Sequence, residues 1–140
     1  MLYKALEGAM MLETFPKTTV DVFALVLESG GINDLPVVKS CASLALADAG
    51  IMIYDLVAVV FVASFFVYVL HSRIKHYDHC AHGSLMLSCM PSCYEITQLT
   101  FTGEPSTAYI NEAMQLCLDA CNKLGRVMRS CLKEAASASQ

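Results

Sequence analysis

Charge is scarce in this sequence for its length. Charged residues make up 16% of the 140 residues and hydrophobic residues 56%, whereas charged residues form about 25% of an ordinary soluble domain. A single domain of this size buries roughly two-thirds of the surface that its unfolded chain exposes. We therefore expect apolar surface that a partner or lipid must cover. The net charge of -4 gives no overall attraction to nucleic acid, so any RNA contact requires a local basic patch.

Signals of secretion and of self-sufficient catalysis are also missing. The seven cysteines are odd in number, and none stands in a Cys-x-x-Cys pair. Lys4 and Glu7 interrupt the start of the chain before any apolar run, so we expect no signal peptide, reduced thiols and an intracellular compartment. Free cysteine behaves as a small buried hydrophobe, and we expect that behaviour here. No segment carries a complete catalytic motif.

The first 31 residues predict a helix, a strand and a turn. Residues 2–13 place Leu2, Leu6 and Met10 at helical spacing, and Pro16 ends that helix. Residues 17–28 are rich in β-branched and aromatic residues. Apart from Asp21 both faces are apolar, as in a strand buried inside a sheet. The adjacent Gly30 and Gly31 favour a turn after this strand over a phosphate cradle.

A buried helix and a long uncharged run follow. Asp34, Pro36 and Gly50 bound a helix that is apolar on nearly all sides. Residues 56–70 then carry no charge. The many β-branched and aromatic residues in this run favour a strand. As a membrane helix they span only about 22 Å, so the span would have to extend over residues 51–70 and include Asp55. A buried strand and a single membrane span both remain open at this point.

All four histidines lie between residues 71 and 83. Zinc sites need about four converging ligands, and the spacings here match no established zinc finger, so we expect a solvated loop and no metal. Any metal test would address the weak candidates His76, His79, Cys80 and His82.

The remainder predicts two strands and a long helix. Residues 84–90 and 94–101 are short strands around Pro91, and a helix runs from about residue 106 to 136. Four cations share one face of this helix; these candidate RNA contacts are Lys123, Arg126, Arg129 and Lys133. A basic stripe of this kind is more often solvated surface. A different face predicts an apolar seam: Ala113, Cys117, Ala120, Leu124, Val127 and Cys131.

Several stretches in this order resemble the RNase PH domain of the eukaryotic RNA exosome core, most closely its mRNA-transport-regulator type of ring subunit in a plant-like form. They lie at residues 5–8, 15–17, 20–22, 30–31, 42–50, 54–57, 90–92, 95–99, 102–104, 111–113 and 116–120. Their combination is specific, whereas each piece alone is a weak signal. They include Ala42-Ser43-Leu44-Ala45-Leu46-Ala47-Asp48-Ala49-Gly50, Tyr54-Asp55-Leu56-Val57, Met90-Pro91-Ser92 and Thr102-Gly103-Glu104.

The resemblance implies an α+β fold. It corresponds to the C-terminal part of an RNase PH-type domain (ribosomal-protein-like βαβα) with a buried helix and a long C-terminal helix. It also implies a non-catalytic ring subunit without a cofactor, supporting 3′-5′ processing and decay of RNA, including rRNA maturation and mRNA turnover. Expected partners are other RNase PH-type ring subunits, cap subunits and RNA through the assembled ring. The expected location is the nucleus and nucleolus, and also the cytoplasm, with no membrane association.

The sequence departs from the family in three places. Phosphorolytic members carry a Thr-Arg pair after the Gly-Gly turn, where this chain has Ile32 and Asn33, and it lacks their Asp-x-Asn segment. We expect the N-terminal half of the family domain, which supplies strands that complete the sheet, to be absent from this chain. Residues 63–83 form an insert that departs from the family sequence. It looks like a translated intron or an alternative exon. We therefore expect a single partial domain over residues 1–140 with a disordered tail at 137–140.

Overall fold

Two helices precede a three-stranded sheet, and a long helix follows it. The computed structural model describes residues 2–29, 34–63, 83–103 and 107–138. The elements are helix α1 (Leu2–Glu7), a short 3-10 helix (Leu12–Thr14), helix α2 (Asp34–Asp48), strands β1 (Ala58–Ala63), β2 (Ser84–Met90) and β3 (Glu95–Thr102), and helix α3 (Thr107–Ala138).

Strand β2 is the centre of an antiparallel sheet with the order β1-β2-β3. Val60 pairs with Leu87, and Leu87 with Leu99. The β2-β3 register shifts between Ser88 and Cys89. All β2 residues after Ser84 are buried, which explains why this strand is almost continuously apolar instead of alternating with polar residues.

Helices cover both faces of this sheet, giving three layers. The face bearing Val59, Met86 and Met90 packs against α1 and α2, with Leu6 and Leu46 in the same cluster. The opposite face packs against α3. Its buried cluster contains Leu56, Ala58, Leu85, Leu87, Cys89, Ala113, Cys117, Cys121 and Met128.

Two serines of α2 satisfy backbone groups beside the outer edge of β1. The Val57 N–H donates to Ser43 Oγ at 2.7 Å, and the Val59 N–H donates to Ser40 Oγ at 3.1 Å. An unpaired N–H at a buried sheet edge costs about 1–3 kcal/mol. These hydrogen bonds therefore explain why α2 keeps two serines on its buried side.

Most predicted elements are confirmed. The α+β class is correct, and α2 ends before Gly50, whose φ of 73° is the left-handed conformation expected after a helix. The strands around Pro91 are present, and α3 begins close to its predicted start. The first helix is shorter than predicted, because α1 stops at Glu7 and only the 3-10 turn follows.

The buried strand predicted over residues 17–28 is wrong for the described structure. Residues 18–26 have no regular secondary structure, and Phe23 is 93% exposed. A β-strand requires a neighbour to complete its hydrogen bonds, and this segment pairs with none of the strands β1, β2 and β3. The composition of this segment favours a strand, but no strand of the described sheet pairs with it.

The predicted seam of α3 is correct at its start and wrong further along. Ala113 and Cys117 are buried, but the buried line continues through Cys121 and Met128, whereas Val127 is 59% exposed. Alternating steps of four and three average 3.5 residues per turn, and an α-helix has 3.6, so the two lines diverge with distance. A straight helix on a sheet follows the longer repeat.

Some predictions fall outside the described residues. These include the metal candidates His76, His79, Cys80 and His82, and residues 64–82 of the predicted insert. Helix α3 extends through Ala138, two residues into the segment predicted as a disordered tail. Among the described residues, no helix has the length and hydropathy needed to cross a bilayer.

Lys39 lies fully buried between α2 and the sheet. Its Nζ donates to Gln98 Oε1 at 2.8 Å and lies 3.9 Å from Met86 Sδ. Neither contact supplies a negative charge. Burial therefore lowers the pKa of Lys39 below its ordinary value, because the charged ammonium loses water without gaining a carboxylate.

We expect Lys39→Met to stabilise the protein most at low pH. Between the folded pKa of Lys39 and the unfolded value of about 10.4, the unfolded chain binds more protons than the folded chain. The wild-type free energy of unfolding therefore rises with pH across that window. The advantage of Lys39→Met should be on the order of 1 kcal/mol below the window and shrink through it. Urea unfolding over a pH series measures this, with Lys4→Met at an exposed site as control. A pH-independent difference would contradict the prediction.

Candidate nucleic-acid interface

The four cations of α3 have different surroundings. Lys123 Nζ lies 2.7 Å from Asp119 Oδ2 one turn earlier, and both side chains are more than half exposed. This pair locally neutralises one end of the basic stripe. Solvent screens such exposed pairs, which contribute about 0.3–0.5 kcal/mol on a helix, so Lys123 can exchange Asp119 for another anion at small cost.

Arg129 is held by the protein itself. Its Nη2 donates to Asp55 Oδ1 at 3.1 Å and also contacts Ser92 Oγ. The Asp55 side chain is only 7% exposed, and that of Arg129 38%. The carboxylate also accepts hydrogen bonds from the Ser92 N–H at 2.6 Å and from Ser92 Oγ at 3.2 Å. Arg129 therefore ties α3 to the β2-β3 turn and to the segment before β1.

A close approach beside this cluster sets its geometry. Gly125 lies one turn before Arg129 and packs on Pro91, where a Cβ added to Gly125 would lie 2.7 Å from Pro91 Cγ. The missing side chain lets α3 come down onto the β2-β3 turn. Arg129 then reaches Ser92 and Asp55.

Arg126 and Lys133 complete the basic face. Both are exposed, and neither forms an ion pair with any residue that the structure describes. They are seven residues apart, which places them on the same side of an α-helix. The structure thus leaves Arg126 and Lys133 open to an anionic ligand, Lys123 weakly engaged and Arg129 occupied.

Three thiols are buried in the core on the α3 side of the sheet: Cys89, Cys117 and Cys121. Burial raises the pKa of Cys117 to about 11, and a hydrogen bond with Cys89 together with burial raises the pKa of Cys121. Cys121 Sγ also lies 3.5 Å from the Ala58 carbonyl oxygen. Protonated thiols are poor nucleophiles, so Cys117 and Cys121 act as packing residues.

The expectation of buried cysteine is wrong at three positions. Cys41, Cys93 and Cys131 are exposed, Cys93 in the β2-β3 turn and the other two on outward sides of α2 and α3. In the described ranges, no three His, Cys, Asp or Glu side chains converge in a way that could hold a metal ion.

Two charged positions were not identified as sites from the sequence. Lys39 gives a weak signal, because it is an isolated cation in a helix of apolar and small residues. Asp55 stands just before a buried strand, and its partners Ser92 and Arg129 follow 37 and 74 residues later. No local pattern links positions so far apart.

We expect Asp55 and Arg129 to be energetically coupled. Asp55→Asn should cost on the order of 1–3 kcal/mol, because the Ser92 N–H loses a charged acceptor and Arg129 loses its counter-ion. Arg129→Met should cost about 1 kcal/mol, because solvent screens this half-exposed cation. A double-mutant cycle by urea unfolding should give a coupling energy of about 1 kcal/mol. Lys123→Met is the control and should change stability by less than about 0.5 kcal/mol. Additive effects of Asp55→Asn and Arg129→Met would show that the contact contributes nothing.

Comparison with known proteins gives a consistent result. Residues 1–52 match the family described as "3′ exoribonuclease family, domain 1" (RNase PH). Over 99% of its length the chain is 65% identical to "Exosome complex component RRP41-like" of Arabidopsis thaliana. It is 34% identical to "Exosome complex component MTR3" of Mus musculus and 31% identical to "Exosome complex component Rrp41" of Nitrosopumilus maritimus, over 96% of the chain in each case.

These identities rank the relatives and define the extent of the match. The chain is more similar to the RRP41-like protein, at 65% identity, than to the mouse MTR3 protein, at 34%. The chain spans about half the length of these relatives, between 50% and 54%.

The family match, the high identity and the α+β architecture agree with one another. Residues 1–52 match the RNase PH family, and the chain is similar to exosome components over nearly its whole length.

Proposed function

We propose that this chain is a structural subunit of the RNA exosome core ring that supports 3′-5′ RNA processing and decay, including rRNA maturation and mRNA turnover. The observation that carries the proposal is the 65% identity to an exosome component over 99% of the chain. Its partners in this role are other RNase PH-type ring subunits, cap subunits and RNA. The proposed location is the nucleus and nucleolus, and also the cytoplasm. The competing proposal of a membrane anchor over residues 51–70 has no support from the described helices.

We further propose that the chain does not catalyse phosphorolysis, although its family includes exoribonucleases. The support comes from the sequence after the Gly-Gly turn, where Ile32 and Asn33 stand in place of the Thr-Arg pair of phosphorolytic members. A guanidinium binds phosphate through two parallel hydrogen bonds and a full charge. An asparagine amide offers neither the charge nor the same fork of donors.

For RNA contact, the proposed residues are Arg126 and Lys133, with Lys123 as a third. They lie along an exposed helix face, and no buried carboxylate in the described part of the chain holds any of them. Phosphate contacts of this kind are independent of sequence and respond strongly to salt. This suits a subunit that guides RNA past a surface. Arg129 makes a structural contribution in this proposal, because Asp55 occupies its guanidinium.

The assembly proposal predicts co-purification with exosome subunits. When the tagged chain is expressed in plant cells, it should co-purify with ring and cap subunits. A carbonate wash should release it from the membrane fraction. The purified chain given RNA and inorganic phosphate should release no nucleoside diphosphates, with a phosphorolytic RNase PH enzyme as positive control. Retention in washed membranes without exosome subunits would overturn the structural role. Phosphate-dependent release of nucleoside diphosphates would overturn only the non-catalytic assignment.

The RNA proposal predicts a change in salt dependence. With the ring assembled, Arg126→Gln and Lys133→Gln should each reduce the slope of log Kobs for single-stranded RNA against log salt by about 0.7, the value for one phosphate contact. Lys4→Gln on α1, also exposed, should leave the slope unchanged. Equal slopes for all three variants and the wild type would exclude α3 from the RNA path.

A further inference from the structure

A groove lies between the hairpin formed by β2 and β3 and the first half of helix α3. It measures about 410 Å³, within the range of about 300–1,000 Å³ that small-molecule sites occupy. Pro91, Ile96 and Leu118 give it an apolar wall, and Ile96 is 42% exposed. Such a wall suits a flat ligand with a largely apolar face.

Tyr94 lines the same groove and is 85% exposed. Its backbone has a φ of 56°, the left-handed conformation that bulky residues rarely adopt and that glycine or asparagine usually supplies in a turn. The tyrosine therefore neither suits the backbone of the turn nor buries much of its ring. Strained residues of this kind cluster at ligand sites, and an exposed aromatic ring offers a nucleobase a surface on which to stack.

Three polar side chains of α3 also line the groove: Gln115, Asp119 and Asn122. The amides of Gln115 and Asn122 both donate and accept hydrogen bonds, so they match the polar edge of any base. Asp119 accepts only, which suits an amino group. Its exposed pair with Lys123 contributes little, so a phosphate that binds Lys123 releases Asp119 for the base.

Cations without a partner continue this side of the helix. Arg126 lies one turn after Asn122, and Lys133 follows Arg126 by seven residues, so the three share one side of α3. Arg126 and Lys133 are exposed, and neither forms an ion pair with a residue that the structure describes. One turn rises about 5.4 Å, so a phosphate bound to Arg126 lies close to the groove.

We propose that this groove binds one nucleobase of a single-stranded RNA, stacked on Tyr94, while Arg126 holds an adjacent phosphate. Unpaired bases can be splayed out onto aromatic side chains and hydrogen-bonded along their edges, whereas bases inside a duplex cannot. The inference rests on the proposed RNA contact of α3 and deepens it, because it adds a contact to a base where the cations contact only phosphates.

The polar groups favour a base over an apolar peptide side chain. A peptide side chain would cover the apolar wall but leave the amides of Gln115 and Asn122 without hydrogen-bond partners, which is costly once water is excluded. It would also give Arg126 no anion. A nucleotide satisfies the ring, the amides and the cation together.

Removal of the aromatic ring tests the site in the full chain. Tyr94→Leu should weaken binding of a five-nucleotide RNA at least about fivefold in fluorescence anisotropy at low salt, because one stacked base is lost. The dependence of affinity on salt should stay the same, because no phosphate contact is removed. Tyr94→Phe keeps the aromatic face and should retain most of the affinity. The matched control is Tyr3→Leu at an exposed tyrosine of α1.

An abasic oligomer separates the base from the phosphates. A ribose-phosphate oligomer of the same length and charge, but without bases, should bind the wild type more weakly than the RNA does. It should bind Tyr94→Leu and the wild type equally, because it offers no ring to stack. Circular dichroism checks that every variant is folded.

Three results would overturn the nucleobase site. One is equal affinity of Tyr94→Leu and the wild type for the base-bearing RNA, and another is an equal loss with the abasic oligomer. The third is the absence of RNA binding by the wild-type chain. If the first result came with a reduced salt slope for Arg126→Gln, the phosphate contacts of α3 would stand without the base contact. Co-purification with exosome subunits tests the ring role separately, so the proposals can fail independently.

Discussion

Strand β2 lies between two helical layers, and most other contacts of the described structure depend on its burial. Leu85, Leu87 and Cys89 face α3, while Met86 and Met90 face α1 and α2. Burying an apolar side chain of this size contributes about 1.5–3 kcal/mol. Strand β2 supplies such side chains to both hydrophobic clusters, and it is the most completely buried of the three described strands. The neighbouring strands then need only one well-packed partner each, which is why β3 can leave Ile96 and Phe101 partly in solvent.

Polar groups at the margins of this core fix how the layers meet. Ser40 and Ser43 bind N–H groups at the outer edge of β1, so α2 has one position along that edge. Asp55 performs the same role on the other side, where Ser92 and Arg129 converge on one carboxylate. Buried polar groups are costly unless paired, and each of these contacts therefore selects one arrangement of helix against sheet. Lys39 is the exception, since its strong partner among the described residues is the neutral amide of Gln98.

The contact between Asp55 and Arg129 also changes the interpretation of the basic helix face. A cation bound by a nearly buried carboxylate is committed to the fold, whereas one paired in solvent remains available to ligands. Of the four cations that share the face, the structure uses Arg129 to hold α3 in place and leaves Arg126 and Lys133 outward. A stripe that looks uniform in the sequence thus contains residues with two different physical roles.

The sequence by itself determined the resemblance to the RNase PH family, the α+β class, the position of α2, the β2-β3 pair and the extent of α3. These features depend on local signals: periodicity, the Pro36 and Gly50 boundaries, and turn residues around Pro91. Tertiary structure decided the rest. Whether residues 18–27 form a strand depends on a neighbouring strand that periodicity cannot supply. Which line of α3 is buried depends on its fit to the sheet, so Cys121 and Met128 replace Val127 and Cys131 in the core. Asp55 meets the opposite charge of Arg129, and Lys39 meets the neutral amide of Gln98. These partners lie far apart in the sequence, so only the folded chain brings them together.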